Sequence, residues 1–396
     1  MKKLVLPFFL TLIIVTTIAS DILAIPAFAR KYNMTCKTCH SPFPKLKPYG
    51  EDFAANGFAL KDQDAPRYYV ETGDPELTLI RDLPLALRLE GFVTYNQGNA
   101  EQSDFTTPLL FKLLTGGTIT KDVSYFLYYI LENGEAGKIE DAWLMYNNLF
   151  GTELDITIGQ FQVCDPIFKR ELRLTKDDYY IYKVRPGNSN VDLTYDRGLM
   201  LAYGFDSGTD VTIEIVNGSG IGAGLESGNF DNDKYKNVLG RISQDAGEHL
   251  RIGAIGYWGK EVGESSFSSG ETNELWMLGG DATVSFDPLE LNLQYVERKD
   301  DNPNFFPKWM GGITQLVYKT RGAFAELVYR PNGDESKWYA VGLFNWIESD
   351  QTDLDYKTLT GHAGYLLNRN IRLTGELTYD FTNEYTKVGV GFVTAF

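Results

Sequence analysis

The chain has 396 residues, a formal net charge of −16 at pH 7, a mean hydropathy of −0.23 and 14 % aromatic residues. The acidic charge excludes nucleic acid as a partner class, because phosphates would be repelled by the surface. No apolar run of helical membrane-spanning length follows the first residues, which excludes a bundle of transmembrane helices.

The N-terminus has the layout of a secretory signal peptide. Lys2 and Lys3 precede an apolar run from Leu4 to Ile18, and small residues follow that run. We therefore predict export, with cleavage after Ala24 or after Ala29. An uncleaved membrane anchor is the alternative, although the run is short for a span.

The next feature is Cys36-Lys37-Thr38-Cys39-His40, a C-x-x-C-H motif of the kind that attaches c-type haem. Two thiols three positions apart can form thioethers to both vinyl groups of one haem, and the adjacent His40 can ligate the iron. A redox dithiol or half of a zinc site is the alternative, but the chain offers neither a βαβ context nor a second ligand pair. We expect one covalent haem c on Cys36 and Cys39, with His40 as the proximal ligand. Cys164 is then expected to be a stray, partly buried thiol.

The residues after the motif predict a short amphipathic helix, because five residues follow near-helical spacing: Phe43, Leu46, Tyr49, Phe53 and Gly57. Units this small rarely hold together unaided. We therefore expect a haem segment over 25–83, after a signal peptide over 1–24, and we expect it to lie in or against the mouth of a larger domain over 84–396.

The sequence of that larger domain predicts a membrane barrel. From about Leu85 onward, segments of roughly ten residues alternate apolar and polar side chains between turns, as from Leu289 to Val296 and from Ile371 to Tyr379. One apolar and one polar face per strand fit a sheet between lipid and a wet lumen. The final alternating segment ends at Phe396, which resembles the C-terminal signal read by outer-membrane assembly machinery. The aromatic residues are expected to form girdles at the two membrane interfaces.

The fold class is therefore all-β: a transmembrane antiparallel β-barrel of about 16 strands with a small, partly helical N-terminal haem segment, in the bacterial outer membrane. We count 17 candidate strands. Long and short connections alternate from Pro84 to about Arg298, and this alternation slips between Lys299 and Arg321. Because bacterial barrels have even strand numbers, we choose sixteen, with 14 or 18 as alternatives.

The sixth haem ligand is left open. Strand parity turns His362 toward the lumen, which makes it a speculative distal ligand, although a solvated lumen histidine is the simpler interpretation. His249 follows a turn and is interpreted as ordinary. The methionines are more often wall side chains than ligands; those considered are Met34, Met145, Met200, Met277 and Met310.

Charged connections form a second group of candidates. Carboxylates are hard oxygen ligands that would concentrate a divalent cation such as iron(II), but solubilising loops are the default interpretation. The acids are Asp177, Asp178, Asp231, Asp233, Asp300, Asp301, Asp350, Asp353 and Asp355. Three basic residues in the long connection after Gln162 are expected to line a constriction or to pair with haem propionates: Arg170, Arg173 and Lys176.

Four runs follow one another near the N-terminus: Ile25 to Arg30 (IPAFAR), Cys36 to His40 (CKTCH), Phe43 to Phe53 (FPKLKPYGEDF) and Asn56 to Phe58 (NGF). In this order they resemble the start of the fused outer-membrane monohaem cytochrome–porins. The resemblance implies a haem-bearing barrel of about sixteen strands that moves electrons, and some members of that family are implicated as iron(II) oxidases.

Three functions follow from these observations. The leading hypothesis is electron transfer between an extracellular donor, with iron(II) first by resemblance, and a periplasmic carrier such as a soluble cytochrome. Whether this makes the chain an enzyme depends on whether the donor is oxidised at the haem itself. The alternatives are a porin whose haem segment acts as a plug, and a structural or sensory barrel.

Overall fold

The computed structural model describes residues 27–60, 69–70, 72–81, 83–98, 102–222, 224–225, 228–263, 270–307 and 316–396. The predicted signal peptide over 1–24 lies outside the described residues. No helix in the described ranges is long and apolar enough to cross a membrane.

Sixteen strands form a closed barrel in which each strand pairs antiparallel with both neighbours, and the last strand pairs with the first to close the ring. The prediction of sixteen strands is thereby confirmed. Two short strands before the barrel, β1 (Tyr69–Val70) and β2 (Leu79–Ile80), pair with each other. The barrel strands are β3 Leu85–Asn96, β4 Gln102–Thr118, β5 Val123–Glu132, β6 Lys138–Tyr146, β7 Leu154–Gln162, β8 Tyr195–Phe205, β9 Thr209–Val216, β10 Asn237–Asp245, β11 Leu250–Val262, β12 Thr272–Phe286, β13 Leu289–Asp300, β14 Tyr318–Tyr329, β15 Trp338–Ser349, β16 Tyr356–Asn368, β17 Ile371–Asp380 and β18 Tyr385–Ala395.

Side chains alternate between the two faces of the barrel wall, because successive strand residues point to opposite sides of a sheet. In β16, Leu359 and Tyr365 are exposed on the outer face, whereas Thr360 and His362 are buried on the inner face. In β13, Leu293 is exposed and Asn292 is buried. The outer face is therefore apolar and the inner face polar, as a barrel in lipid requires.

The connections distinguish the two ends of the barrel. At the end where Phe396 bonds to Leu87, the connections have two to eight residues, from 287–288 to 330–337. At the opposite end lie the three longest connections, 163–194, 217–236 and 301–317. We name these the turn end and the loop end; short turns face the periplasm in outer-membrane barrels. The described parts of 301–317, where the strand count had slipped, contain no strand.

Exposed aromatic residues lie near both ends of the outer face. At the turn end they are Tyr146, Phe205, Phe286 and Trp338, and at the loop end they are Tyr95, Trp258 and Tyr379. This distribution agrees with the predicted interface girdles.

The connection 163–194, which we name the inner loop, folds into the barrel. Its apolar residues, among them Tyr179 and Tyr182, form one buried cluster with inward residues of β9–β15 such as Phe324, whose ring stacks on Tyr179 at 4.2 Å. The inner loop and the wall thus fill one side of the lumen with an apolar core. The rest of the lumen contains a polar cavity, which lies beside β16, β17, β18, β3 and β4.

Three short helices precede the barrel: α1 Ala27–Tyr32, α2 Cys36–Cys39 and α3 Pro48–Ala55. The helix predicted from Phe43 begins only at Pro48, so its extent was overestimated. The residue before a proline is restricted to extended geometry, and Lys47 has φ −99° and ψ 167°. Pro48 then occupies the first helical turn, where its missing N–H costs nothing.

Candidate functional site

The N-terminal segment, residues 27–60, lies against the turn end of the barrel. Lys47 Nζ is 2.7 Å from Asp334 Oδ2 in the connection 330–337, and Arg330 donates a 2.9 Å hydrogen bond to the carbonyl oxygen of Ser41. A further ion pair joins Lys37 to Glu335 in the same connection. The segment therefore rests on the periplasmic side of the fold.

Aromatic packing holds the segment to the inside of the wall. The rings of Phe28 and Phe58 stack at 4.4 Å, and Phe53 meets Phe28 edge-on at 5.5 Å. Phe58 then packs on Phe126 and Trp143 of the barrel at 5.0 and 6.2 Å. Aromatic contacts of this kind add stability beyond the area that they bury, so the segment has a small core shared with the barrel.

The C-x-x-C-H motif forms a single helical turn that ends at His40. The turn closes through a 2.9 Å hydrogen bond from the N–H of His40 to the carbonyl oxygen of Cys36. Both cysteines are half-buried thiols outside any disulfide. Burial raises the pKa of Cys36 and of Cys39, which keeps both sulfurs as neutral thiols.

The ring of His40 is held by its own chain. Its Nδ1 lies 2.8 Å from the carbonyl oxygen of Pro44, and the backbone of His40 forms an isolated bridge with Leu46. Burial lowers the pKa of His40 to about 4, so the imidazole is neutral at physiological pH. Neutral imidazole with one nitrogen fixed by a carbonyl is the form in which histidine ligates metals.

These donors fit a c-type haem: two free thiols on one helical turn and one neutral imidazole next to them. The cleft beside them is lined by Cys36, His40, Phe43, Tyr339 and Leu366 among others. It is narrow, at about 10 Å³, which is the room of one water. A porphyrin on these donors therefore requires the facing side chains to part.

The inner loop carries a dense set of charges. Arg170 Nε donates to both carboxylate oxygens of Asp178 at 3.0 and 2.9 Å, and Lys183 also pairs with Asp178. Burial alone would raise the pKa of Asp178, but Arg173, Arg170 and Lys183 hold it well below its usual range. Arg170 is therefore a structural residue of the loop.

Beside the inner loop lies a polar cavity of about 690 Å³. Arg173 and Lys176 line it, as expected for residues of a constriction, together with Arg88 and Arg372 from the facing wall. Four acids line its loop-end part: Glu132, Asp353, Asp355 and Asp380. The lining is mixed in charge, because Lys387 also lies at the loop end and Glu90, Glu171 and Asp178 lie with the arginines.

His362 faces the lumen, as strand parity predicted. Its Nδ1 is 2.9 Å from Glu376 Oε2, and its Nε2 is 3.3 Å from the hydroxyl of Tyr339. Tyr339 lines the narrow cleft beside Cys36, whereas His362 lines the polar cavity. Tyr339 and His362 therefore connect the narrow cleft with the polar cavity. Both ring nitrogens of His362 have protein partners.

The acids considered as cation ligands are engaged in structural bonds. Asp177 accepts from Thr358 and Thr360 at 3.3 and 3.1 Å. Asp300 belongs to β13 instead of a loop, is fully buried, and accepts from Arg298. Among the described residues no group of three or more histidine, cysteine or acidic side chains is placed to hold a metal ion. The other acids bond locally, as Asp231 does with Lys236, Asp301 with Lys299, and Asp350 and Asp355 with backbone N–H groups.

The remaining candidates lie in ordinary surroundings. Cys164 is completely buried instead of partly buried, and its thiol donates to Gln162 Oε1 at 3.2 Å. Met34 packs in the aromatic cluster of the N-terminal segment. His249 lies in the turn before β11 against Phe286. Met145, Met200 and Met277 are strand residues, and Met310 lies outside the described residues.

Sequence reasoning missed the basic wall residues Arg88 and Arg372 and the tie between Lys45 and Glu290. Period-two alternation already placed both arginines on inner faces. What it lacked was the closure of β18 on β3, which brings β17 and β3 within two strands of each other.

No protein-family model matches this chain, and no curated protein matches it. Several solved porins have a similar fold. OmpF of Salmonella typhi, solved in complex with daunomycin, is 14 % identical with a TM-score of 0.58, over 79 % of this chain and 97 % of that one. The anion-selective porin from Comamonas acidovorans is 12 % identical with a TM-score of 0.57, over 80 % and 99 %. A loop-deletion mutant of Vibrio cholerae OmpT is 11 % identical with a TM-score of 0.54, over 79 % and 98 %.

At these identities the likeness concerns the fold, and each match leaves about a fifth of this chain uncovered. The chain is a closed sixteen-stranded antiparallel β-barrel with a porin-like fold, and that fold fits a location in the outer membrane.

Proposed function

We propose that this protein is an outer-membrane c-type cytochrome fused to a porin-like barrel, and that it transfers electrons between an extracellular donor and a periplasmic carrier. The carrying observation is the C-x-x-C-H turn at the turn end, where Pro44 holds the ring of His40 next to Cys36 and Cys39. A haem c on Cys36, Cys39 and His40 would supply a one-electron couple.

The remaining residues have separate tasks in this proposal. Ion pairs from Lys37 and Lys47 to Glu335 and Asp334 keep the motif at the periplasmic mouth, within reach of a soluble cytochrome. At the loop end, the acids of the cavity attract a cationic donor such as iron(II). Iron(II) gives up one electron and becomes iron(III), and the periplasmic carrier takes up that electron.

The visible spectrum of the detergent-purified, full-length protein tests this proposal. We expect covalent haem by peroxidase staining of a denaturing gel, and rapid anaerobic reduction by iron(II). A His40→Ala variant that still carries haem should lose the reduction, whereas Cys164→Ser should keep it. Reduction of the haem by dithionite but not by iron(II) would exclude iron(II) as the donor. The absence of covalent haem would exclude the electron-transfer function.

A second candidate is a channel whose N-terminal segment acts as a plug without oxidising any donor. The porin-like fold and the polar cavity of about 690 Å³ favour it. Conductance of the full-length protein in planar bilayers tests it. Stable ohmic steps together with a haem that iron(II) cannot reduce would favour the channel, and a silent bilayer would exclude it.

A further inference from the structure

The deep part of the polar cavity contains buried hydrogen-bond donors without partners. Among the described residues, Nε of Arg173 has only Asp178 as a partner, at 3.5 Å. In the part of the chain that the structure describes, Nε of Arg88 and of Arg372 is shielded from solvent and makes no hydrogen bond. The hydroxyl of Thr374, two residues from Arg372 on the same face of β17, is in the same condition. All four residues line the cavity.

A buried donor without a partner costs about 1–3 kcal/mol. Glu90 Oε1, a buried acceptor of this patch without a hydrogen bond, is taken up by its ion pair with Arg88 Nη2. The donors on Arg88, Arg372 and Thr374 therefore indicate a missing acceptor.

In each of these arginines Nη1 already makes a hydrogen bond that holds the guanidinium group. Arg372 donates to the hydroxyl of Tyr339 at 2.7 Å and to the carbonyl oxygen of Leu174 at 3.2 Å. Arg88 donates to the carbonyl oxygen of Glu171 at 3.0 Å. The guanidinium groups are therefore positioned before any ligand arrives, which reduces the entropy lost on binding.

The strands bring these groups to one patch of the wall. Val393 of β18 pairs with Arg372 on one side and with Glu90 on the other. The Cα atoms of Arg372 and Glu90 are thus two strand spacings apart, about 10 Å. The inner loop adds Arg173 to the lining of the same cavity. The cavity volume of about 690 Å³ has room for a phosphate or carboxylate group.

Charge is in surplus at this patch. Four basic side chains act on Glu90, namely Arg88, Lys112, Arg173 and Arg372, whereas Glu90 and Glu171 are the two carboxylates among them. A third carboxylate, Asp178, lies 3.5 Å from Arg173 Nε and is shared with Arg170 and Lys183. Positive charge away from bulk water is costly unless anions balance it.

We propose that Arg88, Arg173, Arg372 and Thr374 form an oxyanion-binding site deep in the lumen, which takes a phosphate or carboxylate group. Guanidinium groups bind both by charge-assisted hydrogen bonds. The group has two sources: a free oxyanion from solution, or a propionate of the haem, since Arg372 donates to the hydroxyl of Tyr339, which lines the cleft beside Cys36 and His40. Only the second source rests on the proposed function.

Binding of inorganic phosphate to the full-length protein, measured by isothermal titration calorimetry in detergent, tests this proposal. The haem-loaded protein is compared with a Cys36→Ala/Cys39→Ala double variant, which cannot attach haem. Arg88→Gln and Arg173→Gln should weaken phosphate binding about tenfold or more. The matched control is Arg321→Gln, whose side chain is exposed and pairs with Glu348; it should bind phosphate normally.

Binding to both forms of the protein identifies a free oxyanion, and binding to the haem-free form alone identifies the propionate. Absence of binding from both forms, or equal binding in Arg88→Gln and Arg173→Gln, would overturn the site. Heat-modifiable gel mobility checks that each variant keeps its barrel. If Arg88→Gln fails that check, Arg88→Lys keeps the charge beside Glu90 and removes Nε. Because the haem-free form decides the result, failure of iron(II) oxidation leaves it unaffected.

Discussion

Lys45 Nζ lies 2.7 Å from Glu290 Oε1, which joins the N-terminal segment to the inner face of β13. The two side chains are only 18 % and 12 % exposed, so the pair is largely shielded from solvent. Removing one partner of a buried pair is costly because the other charge stays buried.

We therefore expect Glu290→Gln to weaken docking of the segment by about 2 kcal/mol. Hydrogen–deuterium exchange of residues 36–55 should accelerate about tenfold or more, while exchange in the barrel strands is unchanged. Glu348→Gln, which breaks an exposed pair with Arg321, is the control. Unchanged exchange in Glu290→Gln would show that the aromatic contacts alone hold the segment.

Gly57 follows α3 with φ +61°, a left-handed conformation that side chains other than glycine adopt at a cost. A Cβ atom at this position would also overlap the side chain of Ser124. We expect Gly57→Ala to destabilise packing of the segment by about 2–3 kcal/mol, seen as faster exchange over residues 48–58. Gly73→Ala is the matched control, since Gly73 has φ +78° and open space around it. Equal effects of both substitutions at residues 48–58 would contradict the steric explanation.

Cys164 provides a control for haem attachment. It is fully buried among the apolar residues of the inner loop, so we do not expect it to attach haem as Cys36 and Cys39 would. We expect Cys164→Ser to keep full covalent haem by peroxidase staining, because serine also donates to Gln162. Cys36→Ala should lose most of the stain. Loss of stain in both variants would mean that misfolding, and not the missing thioether, removes the haem.

Asp165 lies near the start of the inner loop, and burial raises its pKa to about 6 from the ordinary value of 3.8. The native state thus holds a proton that the unfolded chain has already released, so stability falls as pH rises from about 3.8 to about 6. Asp165→Asn should remove this loss. Because the side chain is 33 % exposed, we expect a gain of only about 1 kcal/mol.

Thermal unfolding in detergent at pH 4 and pH 7.5 measures the effect of Asp165→Asn. The variant should be more stable at pH 7.5 and nearly equal to the parent at pH 4. Lower stability at pH 7.5 would show that attraction to Lys169, 3.9 Å away, outweighs burial.

The distal role of His362 stays a prediction. Since Glu376 and Tyr339 occupy its two ring nitrogens, we expect His362→Gln to leave the visible spectrum of the oxidised haem unchanged. Glu274→Gln changes an exposed residue near the loop end of β12 and serves as the control for a surface substitution. A change from a low-spin to a high-spin spectrum in His362→Gln alone would instead identify it as the sixth ligand.

Local sequence patterns predicted much of the wall and of the motif. Alternation placed Leu359 outside and His362 inside, because lipid and lumen impose opposite demands on neighbouring residues. It gave 17 candidate strands, and the even strand number of bacterial barrels led to the correct sixteen. The C-x-x-C-H spacing identified residues that the fold holds on one helical turn.

Contacts between distant parts of the chain could not be predicted in this way. Asp300 looked like a loop acid, yet it ends a strand and is buried beside Arg298. Cys164 is fully buried only because the inner loop turns into the lumen. Lys45 and Glu290 belong to two different predicted domains, and their ion pair forms only because the N-terminal segment docks at this place on the barrel. Alternation specifies the face of a side chain, but it does not specify its partner.

The inner loop leaves β7 and bonds to walls on both sides of the lumen. Near its start, Glu171 pairs with Lys112 of β4. Further along, Tyr179 donates to Glu326 of β14 at 2.9 Å, and Asn345 of β15 donates to the carbonyl oxygen of Asp178. A hollow sheet can flatten under lateral pressure from lipid, but here any change of cross-section must stretch these bonds. The width of the barrel is therefore set from within, and it should respond little to the thickness or tension of the surrounding membrane.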